Sequence, residues 1–579
     1  EIIKIRKRNR FSSGTALRFS DRLLSFICLP YIAVKNLAAI IRAIYAMKTG
    51  KGLLEWKTAA SLGGKGRKLK NYFLKMYPQY IGVLLLFFSQ TVFVGILWLF
   101  SFFVAALSAK PAFYKKKTSK NPERKNDIFA MWKYFSDFVN EENNFLPPDN
   151  FQEEPVCRLA RRTSPTNIGL YLVSVFCVYY LGIIDLDELS ERVENTVSSI
   201  VRLKKYKGHL YNWYSTEDLS VLSPEFISTV DNGNFACALV TAKNAAEKLG
   251  ICDNAVKNIE KILKETDFGL LYDRTKKLLS IGYDPNGEKL SDSYYDIYAS
   301  ESLLAYHYAI SERQIDCSSF EKLNRFRCTR RGSSFIKSWS GTMFEYFMPC
   351  LFLPIINRSF EDEMIRGAFA EQLKRNPHGL WGNSESSYFA FDEALNYKYR
   401  AFGVKTLSLE RGTGRNNVVS PYSSWLTLPF FSEKSNENLD LFKEKGVFGK
   451  YGFYDAADLT ESRTGKPMAT VKNYMAHHIG MSIIAGTNYL ADNIIVKDFF
   501  DCKREAYQPL LEEKTPDFSR NFSSYPDYKK PKNKLGKIGE AFENISVENP
   551  RVKVLSDGNS ALVLSDSGNG YFSVGKKLV

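Results

Sequence analysis

Residues 167–184 read NIGLYLVSVFCVYYLGII, and the fold turns on whether this stretch crosses a bilayer or lies inside a protein. Its roughly 18 residues are short for a membrane span. Ahead of it, Thr163-Ser164-Pro165-Thr166 is a helix start signal, a hydroxyl cap followed by a proline at the first helical position, and Gly182 stands where the helix should stop. A capped helix that is apolar all round belongs in the interior of a large protein core. The stretch therefore predicts a helical assembly thick enough to bury one helix completely.

The text on both sides agrees. From about 128 to 500 helical patterns succeed one another between short turns rich in Gly, Pro and Asn, at 165–183, 188–205, 232–249, 253–264, 292–311, 339–355, 359–374 and 470–490. With few β-branched runs among them, the expected class is mainly α, a toroid or bundle. A length of 579 residues, 45% of them hydrophobic and 25% charged, suits a folded chain of several units.

Outside this block the composition changes. Residues 1–79 form a basic region in which 23–47 are apolar but interrupted by Pro30, Lys35 and Arg42, an interfacial amphipathic helix or a kinked second span. Residues 80–109 carry no charge over 30 positions and read as a transmembrane helix. Lysines flank it on both sides, so charge asymmetry gives no orientation. A basic connector, 110–127, leads into the helical unit, 128–504. Residues 505–549, rich in Pro, Lys and Asn, read as a linker. In 550–579 the alternation of VKVLSDGNSALVLSDSGNGYFSVG predicts two or three β-strands, the opening of a truncated β domain, and the chain reads as a fragment.

The net charge of +16 is concentrated at 4–10, 65–75, 110–125 and 529–537, beside apolar segments or in the linker. That placement points to membrane lipid rather than nucleic acid. Nine cysteines without a CxxC pair read as reduced, buried thiols. The adjacent His477 and His478 diverge by about 100° on a helix and make a poor metal site, so neither a metal nor a cofactor is expected. Aromatic residues reach 14%, with 33 Tyr and 42 Phe, which suits a membrane interface or a sugar-binding cleft.

The candidate chemistry lies in loops dense in polar, aromatic and glycine residues, with no phosphate-binding glycine loop and no HExxH among them. If a helix starts at Ser291 or Asp292, then Tyr294, Ile297, Tyr298, Glu301, Leu304 and Ala305 share one face. A carboxyl on that aromatic face is desolvated, which raises its pKa and suits an acid/base. The alternative is a structural glutamate paired with an arginine. Glu385, in WGNSESSY, has hydroxyl residues on both sides that are expected to keep it ionised, as a nucleophile requires, or else it caps the next element. Glu345, in SGTMFEYFMP, is a third acid that orients a substrate hydroxyl or serves structurally. Asp231, Asp296 and Asp455 are carboxylates of second rank.

Taken together, RTSPTNIGLYL, KGHLYNWYS, STVDNGN, FGLLYDRTKKLLSIGYD, SYYDIYASE, SWSGTMFEYFMP, WGNSESSY, YKYRAFG, YGFYDAAD and YMAHHIGMS resemble, in unbroken order from about Asp127 to Leu490, the glycoamylase-like middle region of cyclic β-1,2-glucan synthases. The tail from Val554 resembles the start of the cellobiose-phosphorylase-like domain that follows in those proteins. The resemblance implies an (α/α)6 barrel that closes linear β-1,2-glucan into rings by retaining transglycosylation. It makes the Glu ending SYYDIYASE, Glu301, the acid/base and the Glu of WGNSES, Glu385, the nucleophile.

By the same resemblance Tyr211, Trp213, Asp231, Tyr294, Tyr295, Asp296, Trp339, Glu345, Trp381, Tyr388, Tyr399, Arg400, Tyr422, Tyr454, Asp455 and His477 line the substrate. It also implies an upstream glycosyltransferase region, a downstream phosphorylase-like domain, and a bacterial inner membrane with the barrel on its cytoplasmic side. Two positions depart from the family, Asn383 where it usually has an aliphatic residue and Asp455 where it usually has Glu. A retaining pair acting directly stands about 5–5.5 Å apart, unless a substrate hydroxyl relays the proton. Two other functions use the same residues, a plain β-1,2-glucan hydrolase and a non-catalytic glucan-binding module.

Overall fold

The computed structural model describes residues 26–49, 76, 77, 80, 92–101, 103 and 120–513, apart from 331, 332, 377, 378, 411, 502 and 503, together with strand residues of 552–578. The chain divides into two compact units, 1–523 and 524–579.

The larger unit is mostly helical. Helix Pro165–Tyr180 starts as its sequence directs: the Ser164 hydroxyl accepts the Asn167 N–H, Pro165 fills the first turn, and every residue from Pro165 to Val178 is buried. Helix Thr229–Leu249 is capped in the same way by Ser228 and ends on Gly250 in the left-handed region. The helices that alternate with these two are apolar on one side only. Leu186–Arg202 buries Leu189, Val193, Thr196, Val197 and Ile200, and Asp253–Glu265 buries Ala255, Ile259 and Ile262, at the spacing of a single helical face.

Fully buried helices pack side by side. Pro165–Tyr180 lies against Thr229–Leu249 and Ala476–Leu490, Thr229–Leu249 reaches Leu303–Ser311, and Ala476–Leu490 reaches Pro421–Thr427. The half-buried Leu186–Arg202 and Asp253–Glu265 pack behind them. Glycine sets how closely the inner helices approach. A Cβ on Gly233 would stand 2.6 Å from Cβ of Ala305, and one on Gly480 would stand 2.8 Å from Cβ of Leu170.

Several boundaries differ from the sequence reading. The segment 292–311 is not one helix, because its helix begins at Leu303. The preceding backbone pairs elsewhere, Tyr294 with Ser280, Ile297 with Asn324 and Ala299 with Ser338, so its aromatic and β-branched residues behave as short strand. Within 339–355 only Met343–Phe347 is α-helical, since Gly341 takes a positive φ of 74° and Pro349 breaks the continuation. The helix expected at 470–490 begins at Ala476, and the strands Ala469–Val471 and Asn473–Met475 precede it.

Strands are also more numerous than the reading allowed, with ten small sheets of two to four strands among the described residues. Some end where a buried helix starts: Ile227–Ser228 precedes Thr229, Val418–Val419 precedes Pro421, and Asn473–Met475 precedes Ala476. Polar residues at these junctions stand at the N-termini of buried helices.

The unit borders shift inward. Helix Arg124–Phe138 begins inside the basic connector, and Arg124 is fully buried in ion pairs with Asp127, at 2.7 Å, and Asp440. Helix Arg504–Leu511 takes the first residues of the expected linker and packs on Leu303–Ser311, while 514–549 lie outside the described residues. Most of the 80–109 segment also lies outside them. Its described part includes helix Val92–Leu99, whose Trp98 Nε1 donates to the Phe26 carbonyl at 3.0 Å.

Among the described residues Leu29–Thr49, 21 residues long, is the one unbroken helix with the length and composition to cross a membrane. Pro30 is its second residue, where a missing N–H costs nothing, and a turn at Cys28 separates the helix from the helical residues 26 and 27. Cys157 and Cys317 are exposed, against the reading of buried thiols, and no disulfide joins any of the eight described cysteines. The smaller unit is an antiparallel meander of four strands, Val552–Ser556, Ser560–Ser565, Gly570–Val574 and Lys577–Leu578.

Candidate functional site

A cavity of about 660 Å3 opens in the larger unit, and Glu301, Glu345 and Glu385 all line it. Three turns far apart in sequence bring them there. Glu301 stands on the turn before helix Leu303–Ser311, Glu345 in the first turn of Met343–Phe347, and Glu385 at the start of strand Glu385–Phe391. Tyr294, Tyr295, Asp296, Trp339, Lys276 and Phe344 complete much of the wall. Trp339 is 57% exposed. The Lys276 ammonium lies 3.6 Å from the centre of the Tyr294 ring, while the Tyr294 hydroxyl donates to Asp273 at 3.0 Å. Broad aromatic faces beside carboxyls are a surface suited to sugars.

The three carboxyls live in different surroundings. Burial, reinforced by the charge on Glu345, pushes Glu301 up to about 7, and the Ser300 hydroxyl is its near donor at 3.2 Å. Burial and the negative charges of Glu301, Glu345, Asp231 and Asp455 push Glu385 up to about 8. Both therefore hold protons close to neutrality.

That result corrects one expectation. The hydroxyls flanking Glu385 do not hold it ionised, because alternate strand positions face opposite ways. The Ser384 hydroxyl receives Tyr422 Oη at 2.6 Å and the Phe344 N–H at 3.0 Å, and Ser386 Oγ is buried without a partner. The Ser387 hydroxyl accepts from Asn473 Nδ2 at 2.9 Å.

Glu345 is the carboxylate that hydroxyls and amides do hold. It accepts from Ser338 Oγ at 2.9 Å, from Ser340 N at 2.9 Å and from Thr342 N and Oγ1 at 2.8 Å each. Burial pushes it up and these four donors pull it back. With Thr342 it forms the capping box of its helix.

Two further knots of polar residues adjoin the carboxyls. In one, Asp231 accepts from Thr166 Oγ1 at 2.7 Å. With the Asn212 amide oriented to satisfy both its ends, its nitrogen donates to Asp231 Oδ2 at 2.9 Å and its oxygen accepts Trp213 Nε1 at 3.1 Å. The Arg162 guanidinium covers the Trp213 ring at 4.8 Å. In the other knot, Asp455 accepts the Ser387 N–H at 2.7 Å and faces His478 Nδ1 at 2.5 Å. Nε2 of His477 and Nε2 of His478 each lie 3.3 Å from Tyr399 Oη, and Tyr422 stacks on His478 at 3.8 Å.

Five of the residues expected at the substrate are turned elsewhere. Trp381 is buried against Phe369. The Tyr454 hydroxyl donates to Glu153 at 2.6 Å, and its ring packs on Tyr474. Tyr211 is 3% exposed in the core. Tyr388 and Arg400 stand on the face of the 385–401 hairpin opposite Glu385, with Tyr388 packed on Phe402. Conversely His478, weighed only as a metal ligand, and Lys276 were missed. For His478 the signal was available, since a histidine pair at a strand-to-helix junction places one ring against the neighbouring strand.

The comparisons with known proteins agree with this picture. The Glycoamylase family model matches residues 293–503. The cyclic β-(1,2)-glucan synthase NdvB of Rhizobium meliloti (strain 1021) is 29% identical over 95% of this chain. The chain spans a quarter of that relative's length, and the resemblance read from the loops holds over the whole region that carried it. Among solved structures, the endo-β-1,2-glucanase of Chitinophaga pinensis, in complex with sophorotriose and glucose, superposes with a TM-score of 0.57 at 17% identity, covering 69% of this chain and 99% of that one. The endo-β-1,2-glucanase of Talaromyces funiculosus, with sophorose, gives 0.52 at 13% identity over 70% and 98%. At these identities the likeness is one of fold.

Proposed function

We propose that this chain carries the glucan-acting part of a membrane-bound cyclic β-1,2-glucan synthase-like protein, in which Glu385 attacks the anomeric carbon and Glu301 serves as acid/base in a retaining transglycosylation. Its inner and outer helices are read as an (α/α)6 barrel over 128–504. The observation that carries the reading is that Glu301 and Glu385, 84 positions apart in sequence, line one aromatic-walled cavity. Arg400, Tyr388, Tyr211, Trp381 and Tyr454 are left out of the substrate contacts, and Lys276 joins them.

The proton inventory fits the roles once sugar is bound. Glu301, raised to about 7, keeps a proton to give to the leaving oxygen at neutral pH. Glu385, raised to about 8, must lose its proton before it attacks. Sugar hydroxyls that donate to it on binding favour the carboxylate. Attack then gives a glycosyl ester on Glu385, and a hydroxyl from the far end of the same chain displaces it as Glu301 takes the proton.

The membrane anchor is assigned to the 80–109 segment together with Leu29–Thr49. The barrel faces the cytoplasm of a bacterium, upstream sequence supplies a glycosyltransferase, and 550–579 begin a phosphorylase-like domain. Incubating the protein with linear β-1,2-glucan and weighing the products distinguishes rings from linear fragments. Glu301→Gln and Glu385→Gln are each expected to lose at least about 100-fold in kcat, and wild-type rates in either variant refute its role. Hydrolysis by the same acids is the second reading, favoured by the fold shared with the two glucanases, and linear products alone would establish it.

A further inference from the structure

Strand Glu385–Phe391 pairs with Tyr397–Ala401 so that Glu385 faces Ala401 and Ser387 faces Tyr399. Alternate positions share a face, so Tyr399 projects from the same side of the hairpin as Glu385 and Ala401, which line the cavity. Tyr399 is 42% exposed. Behind it the Asp455 carboxylate, 4% exposed, is committed on both oxygens, one to the Ser387 N–H and one to His478 Nδ1. Tyr422, nearly parallel to the His478 ring at 16°, fixes the imidazole plane.

These contacts determine where each proton lies. A carboxylate can only accept, so His478 carries a proton on Nδ1, which leaves Nε2 to accept. The Tyr399 hydroxyl, 3.3 Å away, has one proton and gives it to that nitrogen. His477 reaches the same oxygen at 3.3 Å. Because the phenol proton is already placed, His477 must donate from Nε2. Burial holds His477 well below its ordinary value and keeps it neutral, which allows this. One lone pair of Tyr399 then remains for a further donor.

We propose that Asp455, His478 and Tyr399 form a relay of hydrogen-bond polarity that makes Tyr399 an acceptor for a sugar hydroxyl beside Glu385, an inference that rests on the glucan reading above. Tyr399 is thus a specificity-determining contact, and Asp455 and His478 are positioning residues that act through it. The site selects a ring whose hydroxyl can donate at that point and disfavours one carrying only an acceptor there.

Asp455→Asn reverses the relay. Its amide oxygen can still receive the Ser387 N–H, but its NH2 group now faces Nδ1 and forces the proton onto Nε2. The phenol proton then turns toward the sugar, so a donor meets a donor. On linear β-1,2-glucan kcat/KM is expected to fall about 10- to 100-fold, and by about 10-fold in Tyr399→Phe. Asp455→Glu, which keeps the carboxylate, is expected to stay within about 3-fold of wild type. On a Tyr399→Phe background Asp455→Asn should cost less than about 3-fold more, as groups acting through one another are non-additive.

The tautomer itself is read without sugar, by 15N NMR of the histidine-labelled protein: Nδ1–H at His478 in the wild type and in Asp455→Glu, Nε2–H in Asp455→Asn. An unchanged tautomer in Asp455→Asn overturns the proposal, as does a full additional loss on the Tyr399→Phe background. A tautomer that switches as expected in Asp455→Asn, when the wild type does not turn over β-1,2-glucan, upholds the relay and refutes the glucan reading instead.

Discussion

Glu385→Gln should make the protein more stable in alkaline solution and leave it unchanged in acid. Folding raises Glu385 from 4.5 to about 8 because the cavity walls take its water away and Glu301, Glu345, Asp231 and Asp455 surround it with negative charge. Between these two values the folded protein binds a proton that the unfolded chain has released, so stability falls as pH rises through that window. The loss is complete above about pH 8 and absent below about pH 4.5. At about 1.4 kcal/mol per unit, the full shift corresponds to a ceiling on the order of 4–5 kcal/mol. An effective interior dielectric well above that of dry protein weakens these interactions, which reduces the expected gain to roughly 2 kcal/mol.

Glutamine keeps the size and removes the charge. Thermal unfolding of Glu385→Gln at pH 8.5 should show a midpoint roughly 2–6 °C above wild type, and at pH 4 the two should coincide. A variant that melts lower than wild type at pH 8.5, or that gains equally at both pH values, would show that the cavity does not strain this carboxylate. The variant that removes catalysis would then owe nothing to electrostatics. The expected trade of stability for function is what a site of crowded like charges implies.

Three further perturbations follow from the packing. Trp339→Ala removes an exposed ring from the cavity wall, and KM should rise about 2- to 10-fold with kcat within twofold; an equal fall in kcat would place the ring at the reacting bond instead. Gly233→Val puts a branched side chain where Ala305 is already 2.6 Å from a Cβ, and denaturant unfolding should register a loss of about 1–3 kcal/mol, whereas an unchanged midpoint would disprove the helix contact. Arg124→Met strands the buried Asp127, leaving only the Lys443 ion pair, at a cost of about 3 kcal/mol that adding Asp127→Leu should largely restore; no recovery in the double variant would mean that Arg124 matters through its other partners.

The helices were legible wherever burial alone decides the pattern. The run at 167–184 is apolar on every side and is a buried helix, and the two-faced patterns at 188–205 and 253–264 are half-buried helices packed behind it. Reading failed where backbone pairing between distant segments overrode the local pattern. Tyr294, Ile297 and Tyr298 are spaced for a helical face, yet Tyr294 bridges to Ser280, Ile297 and Tyr298 bond to Asn324, and the neighbouring Ala299 bridges to Ser338, partners that the local helical pattern does not contain. The hairpin at 385–401 was within reach. SSYFAF and YKYRA are aromatic strands around DEALN, whose Asp392 carboxylate receives the Ala394 and Asn396 N–H groups at 2.9 and 2.8 Å. Once it is seen as a hairpin, parity assigns Tyr399 to the face of Glu385 and sends Tyr388 and Arg400 to the other.

Acids can be found in a sequence more readily than they can be ranked, and Glu345 shows why. The text Thr342-Met343-Phe344-Glu345 is a capping-box signature ahead of an apolar helix, so its role in holding Thr342 and the first turn was readable from spacing alone. Glu301 and Glu385 carry no such local commitment: one has a single serine at 3.2 Å, and the hydroxyls beside the other face away. An enzyme that must move protons needs carboxyls whose hydrogen-bonding capacity is unspent when the substrate arrives. The distinction between a structural and a chemical acid therefore lies less in burial, which all three share, than in how many donors the fold has already supplied. By that measure Glu345 is fully committed and Glu301 and Glu385 are open.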